Sequence, residues 1–229
     1  DSIEAVVEQS DCLMILAPNR PETHRRLATP ALMSGKPTFI DKTFAESVES
    51  GQAMFDLARE HGTPMFSSSA LRFSSAYRNL PDKPIRQLVS YGGGTPEDYI
   101  IHQLEPLIML LQTGVKRAQV WGEGDTVSYL LEMTDGTRAT LLQGPDQTYG
   151  MSLYYEDETR MVQADDRFFL KQTDAILEFF DSGLAGTAML PVEEAETLVI
   201  LAVRELLLEA LERPGEWVQA TACSRGIYP

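Results

Sequence analysis

The feature that most constrains this sequence is the alternation of short apolar runs with helical patterns over its first 70 residues. Cys12–Ala17 is a continuous apolar run ending at Pro18-Asn19, the pattern of a strand buried on both faces. A helical pattern follows from Glu22 to Met33 and stops at Gly35, a residue suited to the position just past a helix end. Thr38–Ile40 predicts a second strand that runs into Asp41-Lys42-Thr43. Thr43 with Glu46 fits a capping box, and Ser47 competes as the cap of the same helix, which reaches His61. Gly62 closes that helix, and Pro64–Ser67 predicts a third strand. Strands and helices alternating through short loops imply right-handed βαβ units and a parallel sheet. Three strands make only one half of a dinucleotide-binding fold, which has two βαβαβ halves. The strand expected beside Cys12–Ala17 is missing from the sequence, so that run is expected at a bare, aggregation-prone sheet edge.

From about Leu71 the pattern changes. Arg86–Tyr91 predicts a strand, followed by a Gly92-Gly93-Gly94 loop and a helix from Pro96 to about Gln112. Val115–Trp121, Val127–Met133 and Arg138–Gln143 predict further strands, the last two joined by an Asp135-Gly136 hairpin signal. Met151–Tyr155 and Arg160–Gln163 predict another hairpin, and helices over Phe168–Ser182 and Pro191–Glu212 close the chain. The expected fold class is α/β plus α+β. It comprises an incomplete Rossmann-type parallel sheet over residues 1–70 and an α+β domain with a largely antiparallel open sheet over residues 71–229.

Composition excludes several functions. The formal charge of −15 would repel phosphate backbones, so no nucleic-acid partner is expected. No apolar run approaches the roughly 18 residues that span a bilayer, so no membrane partner is expected either. Two cysteines, Cys12 and Cys223, suit a reducing compartment, and a cytoplasmic protein is the expectation. No Cys and His cluster has zinc spacing, so no metal is expected. The sequence contains neither G-x-G-x-x-G, nor a P-loop, nor a G-x-S-x-G elbow. It begins at Asp1 inside an amphipathic segment, Ile3–Val7, which is read as a cut or a missing N-terminal region.

Lys42 lies just past the carboxyl end of a predicted parallel strand, where ligands of such sheets bind and an ammonium can donate a proton to a substrate oxygen. A surface loop lysine is the plainer alternative. Asp98 and His102 stand at i and i+4 on one helical face, a spacing that lets a carboxylate hold an imidazole or lets both reach one oxygen. Asp98 also suits the first helical turn for electrostatic reasons alone. Pro18 and Asn19, with His24 downstream, occupy the loop after the first strand, where a cofactor's sugar or ring would lie. Arg72 follows the third strand and either faces that crevice or forms an inter-domain ion pair. His61 reads as a helix C-terminal residue.

Taken in order, Ala17-Pro18-Asn19, GKPTFIDKT (Gly35–Thr43), SSSALRF (Ser67–Phe73), Asp98-x-x-x-His102 and FFDSG before Pro191 resemble the glucose–fructose oxidoreductase/inositol dehydrogenase (Gfo/Idh/MocA) family. The resemblance implies a Rossmann domain, then an α/β domain whose open sheet packs between subunits of a homo-oligomer. It also implies proton transfer by Lys42, Asp98 and His102 during hydride exchange between NAD or NADP and a hydroxylated small molecule. Asp41 stands where the family usually has Glu, and Thr43 replaces its usual proline, freeing the backbone after Lys42. The family's glycine-rich turn, whose amides hold the pyrophosphate, has no counterpart here, so the chain alone is expected to be inactive. Against this reading stand two others: a non-catalytic interaction protein that dimerises through the second sheet, and a sugar-binding module without redox chemistry.

Overall fold

The computed structural model describes residues 2–17, 20–124, 126–145 and 148–221. A short helix α1 (Ile3–Gln9) leads into β1 (Leu13–Ile15), α2 (Pro21–Leu32), β2 (Thr38–Asp41), α3 (Val48–Glu60) and β3 (Met65–Ser68). The three strands form a parallel sheet in the order β1-β2-β3, with Leu13 opposite Thr38 and Phe39 opposite Phe66. Ser47, and not Thr43, caps α3: its hydroxyl accepts a hydrogen bond from Ser50 N at 3.1 Å. Phe44 and Ala45 are buried in the core, so the chain cannot turn into a helix until Ser47. The Lys42–Thr43 peptide bond is cis.

A 3-10 turn (Ala70–Phe73) and the short helix α4 (Ser75–Arg78) join the two sheets. Next come β4 (Gln87–Gly93), α5 (Pro96–Leu111), β5 (Val115–Glu123), β6 (Thr126–Met133), β7 (Arg138–Gly144), β8 (Gly150–Tyr154) and β9 (Thr159–Gln163). The chain ends in α6 (Phe168–Leu184), α7 (Glu194–Leu211) and β10 (Val218–Gln219). The second sheet runs β10-β5-β6-β7-β4-β8-β9, and its pairs are antiparallel except for β4 with β7. Its inner face, including Leu88, Tyr129, Leu131, Leu141 and Leu153, packs on α5 and α7. Val89, Leu130, Thr140 and Leu142 alternate onto the other face and stay partly exposed, with Trp121 exposed beside them.

Two helices differ from the sequence expectation. Pro191 precedes α7, whose cap is Glu193. Helix α6, expected within the second domain, packs on the first sheet: Phe66 meets Phe179 edge-on at 4.9 Å and Phe39 at 5.1 Å, with Ile176 and Val192 in the same cluster. The other face of that sheet is covered by α2 and α3. This explains why β3 is buried at every position, Ser67 and Ser68 included, as a strand in a sheet covered on both faces should be. Helix α7 contributes Leu198 and Leu201 to the first core, and Val203, Leu206 and Leu207 to the second. A Cβ on Gly51 of α3 would lie 2.8 Å from Leu201 Cδ1, so glycine lets α3 and α7 approach closely. Glu205 of α7 completes the junction by accepting a hydrogen bond from Val48 N at 2.8 Å.

Candidate functional site

Parallel strands bring chemistry to their carboxyl ends, and here three segments converge there. Strand β2 ends on Asp41 and delivers Lys42; β3 ends on Ser68 and delivers Ser69; the first turns of α5 deliver Tyr99 and His102. The Lys42 ammonium stands over the Tyr99 ring, 5.5 Å from its centroid. The His102 ring lies between two tyrosines, with centroids 5.6 Å from Tyr99 and 5.7 Å from Tyr149, the latter edge-on. Its Nδ1 is 2.6 Å from the hydroxyl of Ser69, a fully buried residue. Burial, reinforced by the nearby Lys42 charge, pushes the His102 pKa down to about 3, so the imidazole is neutral at ordinary pH.

Gly92 and Gly93, expected in a loop, instead end β4 in register with Gln143 and Gly144 of β7, and with Gly94 they shape the wall of this site. Gly94 has φ +88°, and a Cβ there would fall 2.2 Å from Tyr99 Cγ, so the chain passes against Tyr99 as only glycine can. Gly93 O accepts hydrogen bonds from Gln143 Nε2 at 2.6 Å and from the Tyr149 hydroxyl at 3.0 Å. Gln103 Nε2 donates to Gln143 Oε1 at 2.6 Å, extending the network into α5. Burial pushes the Tyr149 phenol up to about 12, so it remains a donor.

The structure gathers some predicted residues and disperses others. Lys42 and His102 meet. Asp98 lies in the first turn of α5 and makes no hydrogen bond to His102; its charge acts on Arg204 instead. The i, i+4 spacing allowed the contact, but the chain after β3 places Ser69 against Nδ1. Asp41 is half-buried beside Lys42; burial raises its pKa, while a backbone hydrogen bond and the Lys42 and His24 charges lower it. His24 is fully buried, its Nδ1 3.2 Å from Phe44 O and its Nε2 without a partner. His61 ends α3, as expected. Pro18 and Asn19 lie outside the described residues, as does Cys223.

Of the two roles open to Arg72, a place in the crevice or an ion pair, the structure shows the ion pair. Arg72 is 3% exposed, and its two terminal nitrogens are engaged by Glu105 of α5 at 2.7 Å and Glu196 of α7 at 2.6 Å. Ser69 N donates to the other oxygen of Glu105 at 3.0 Å. The arginine therefore braces the segment that carries Ser69. Sequence reasoning missed Ser69 and Tyr149 as site residues. Ser69 sits inside the SSSALRF segment, directly after a strand end, and that position was the available signal. Tyr149 offered none. A separate groove of about 550 Å³ between α4 and α6, lined in part by Phe73, Arg78, Lys171 and Met189, includes none of these side chains.

No family model matches the chain, and no curated protein matches it. Solved structures do. The scyllo-inositol dehydrogenase of Lactobacillus casei superposes with TM-score 0.81 at 16% identity, covering 96% of this chain and 82% of its own. The myo-inositol 2-dehydrogenase of Lactobacillus plantarum gives TM-score 0.81 at 16% identity, with 96% and 84% covered. The UDP-N-acetylglucosamine 3-dehydrogenase of Acidithiobacillus ferrooxidans gives TM-score 0.75 at 17% identity, with 92% and 81% covered. The Lactobacillus casei scyllo-inositol enzyme has also been solved with NAD(H) and scyllo-inositol bound. A small parallel sheet followed by a larger mixed sheet, both tied by the last helix, gives this chain the fold seen in these inositol and sugar-nucleotide dehydrogenases.

Proposed function

We propose that this chain carries the substrate and proton-handling part of an NAD(P)-dependent oxidoreductase that oxidises a secondary alcohol of a sugar, polyol or related molecule. The observation that carries this reading is the meeting of Lys42, at a parallel strand's carboxyl end, with His102 and Tyr99 of the second domain. The fold shared with inositol dehydrogenases supports it. A nicotinamide, when bound, supplies the hydride acceptor. The chain fits the ring and substrate end of that cofactor: an ammonium and a neutral imidazole share one crevice, and His24 Nε2, near Asp41, is a buried polar atom without a partner. No glycine-rich strand–turn–helix occurs among these residues to grip the pyrophosphate.

Within that crevice Lys42 exchanges the alcohol's proton, His102 holds the same oxygen, and the tyrosine rings exclude water around it. Asp98 acts through the charge it places at the head of α5. A homo-oligomer through the outer face of the second sheet, where Trp121 is 57% exposed beside Leu130 and Leu142, belongs to the same proposal. The test is spectrophotometric reduction of NAD or NADP by the native gene product with a panel of inositols and sugars, wild type against Lys42→Met. Turnover in the wild type and a loss of about 100-fold or more in the variant are expected. Equal turnover in both sinks the assignment. Calorimetric titration of NAD(P)H into the 229-residue chain alone is expected to show no tight binding, and micromolar affinity would overturn that part.

A further inference from the structure

We infer that Ser69 fixes His102 as the Nε2–H tautomer, so that His102 donates a hydrogen bond to the substrate oxygen and Lys42 alone exchanges the proton. The inference rests on the functional reading above and deepens it. It follows from a proton count.

Ser69 is fully buried and has one hydroxyl proton to place. Its Oγ already accepts from Leu71 N, at 3.4 Å, as the cap of the 3-10 turn. Its backbone N–H is spent on Glu105 Oε1 at 3.0 Å. The remaining contact of the hydroxyl is His102 Nδ1 at 2.6 Å, and no other acceptor for its proton exists among the described residues. If Nδ1 carried a proton, Ser69 Oγ would receive two donors while its own proton stayed buried and unpaired. Such an orphan costs about 1–3 kcal/mol. With the proton placed as O–H···Nδ1, every group is satisfied, and the ring's single proton moves to Nε2. No hydrogen bond from a described residue reaches that nitrogen, which leaves it open to a substrate.

A neutral imidazole protonated at Nε2 has no lone pair there, so it cannot take the alcohol's proton. In the oxidation, Lys42 first gives one ammonium proton to solvent, so that Nζ carries a lone pair. The substrate O–H bond then breaks and its proton goes to Nζ, restoring the ammonium, while the C–H bond would break with its electron pair leaving as hydride to a bound nicotinamide and the C=O bond would form. His102 holds the oxygen throughout. The Glu105–Arg72–Glu196 triad fixes the Ser69 backbone, so the tautomer is set from the buried core and not by solvent.

The experiment is a long-range ¹⁵N–¹H correlation spectrum of protein labelled with ¹⁵N-histidine. Only His24, His61 and His102 contribute, and His102→Gln assigns the signal. Nδ1 bare and Nε2 protonated, unchanged from about pH 5 to pH 8, is the expected pattern. An Nδ1–H tautomer, or an imidazolium at neutral pH, overturns the inference. In Ser69→Ala the two tautomers should interconvert, with kcat/KM for the polyol down by up to about tenfold, the worth of one hydrogen bond. A tautomer unchanged in that variant removes Ser69 from the role. The spectrum needs neither cofactor nor substrate. Thus an Nε2–H ring in a native gene product without dehydrogenase activity refutes the functional reading, whereas an Nδ1–H ring in an active enzyme refutes only this one.

Discussion

Replacing Arg72 with methionine tests whether the buried triad holds the segment after β3 in place. The substitution keeps volume but removes the only cation that faces Glu105 among the described residues; Glu105 is 5% exposed and retains there a single donor, Ser69 N, at 3.0 Å. Glu196 is 19% exposed on its side chain and can rehydrate at little cost. Glu105 cannot, and its escape is to take up a proton. From the ordinary glutamate value of 4.5, neutralising it at pH 7 costs about 3.4 kcal/mol, and about 1.4 kcal/mol at pH 5.5. These figures cap the penalty at each pH and agree with the roughly 3–5 kcal/mol lost when one partner of a buried pair is removed. The sign is fixed by direction: burial holds the folded Glu105 pKa above its unfolded value. The folded state therefore binds the proton more tightly, and stability falls as pH rises from the unfolded value through the folded one. Without Arg72 that window widens upward. Urea unfolding followed by circular dichroism should show the midpoint at pH 7 lowered by about 1–3 M. At pH 5.5 the drop should be less than half as large. A pH 7 shift below about 0.3 M, or an equal drop at both pH values, would refute the electrostatic account.

Three further outcomes follow from the packing and the charges. Gly94→Ala forces a residue at φ +88° and drives a methyl into Tyr99; a cost of about 1–3 kcal/mol and an altered Tyr99 environment are expected, read by thermal melts and tyrosine fluorescence. Phe179→Ala should cost about 3–5 kcal/mol in chemical denaturation, because its ring fills the space between α6 and Phe66; a cost near zero would mean that α6 does not pack there. His102, held near 3 when folded against 6.5 unfolded, contributes stability that is complete above 6.5 and is lost as pH falls from there towards 3. The stability difference between wild type and His102→Gln should therefore shrink on acidification through that range, and a pH-independent difference would contradict a neutral buried ring.

The parts of this fold written in local pattern were legible, and the parts set by tertiary choice were not. Alternating strands such as β6 declare themselves by period, since burial on one face dictates the spacing. The run Cys12–Ala17, expected to be buried on both faces, yields only β1 (Leu13–Ile15) at the sheet edge, with Met14 exposed. Helix α6 declared itself as a helix, but nothing in its stripe says which sheet Phe179 will meet. The pair β10 is too short to carry a period at all. Lys42 was readable because a strand's carboxyl end is a privileged place in any parallel sheet, and His102 because a histidine off the apolar stripe needs a reason. Asp98 looked like its partner because four residues bring side chains together on one face. The actual partner, Ser69, is 33 residues away and arrives only through the folding of a second element. Arg72 was open to two readings from position alone, and the burial of Glu105 beside it decides between them.

Because α7 is a member of both apolar cores, the two sheets cannot be pulled apart without exposing one side of that helix. The crevice carrying Lys42 and His102 is thus spanned by a common girder, with Glu205 and Arg204 acting as rivets to α3 and α5. Calorimetry should record a single cooperative transition and not two. Any opening of the crevice to admit a substrate must come from side chains and loops, with the scaffold beneath them moving as one piece.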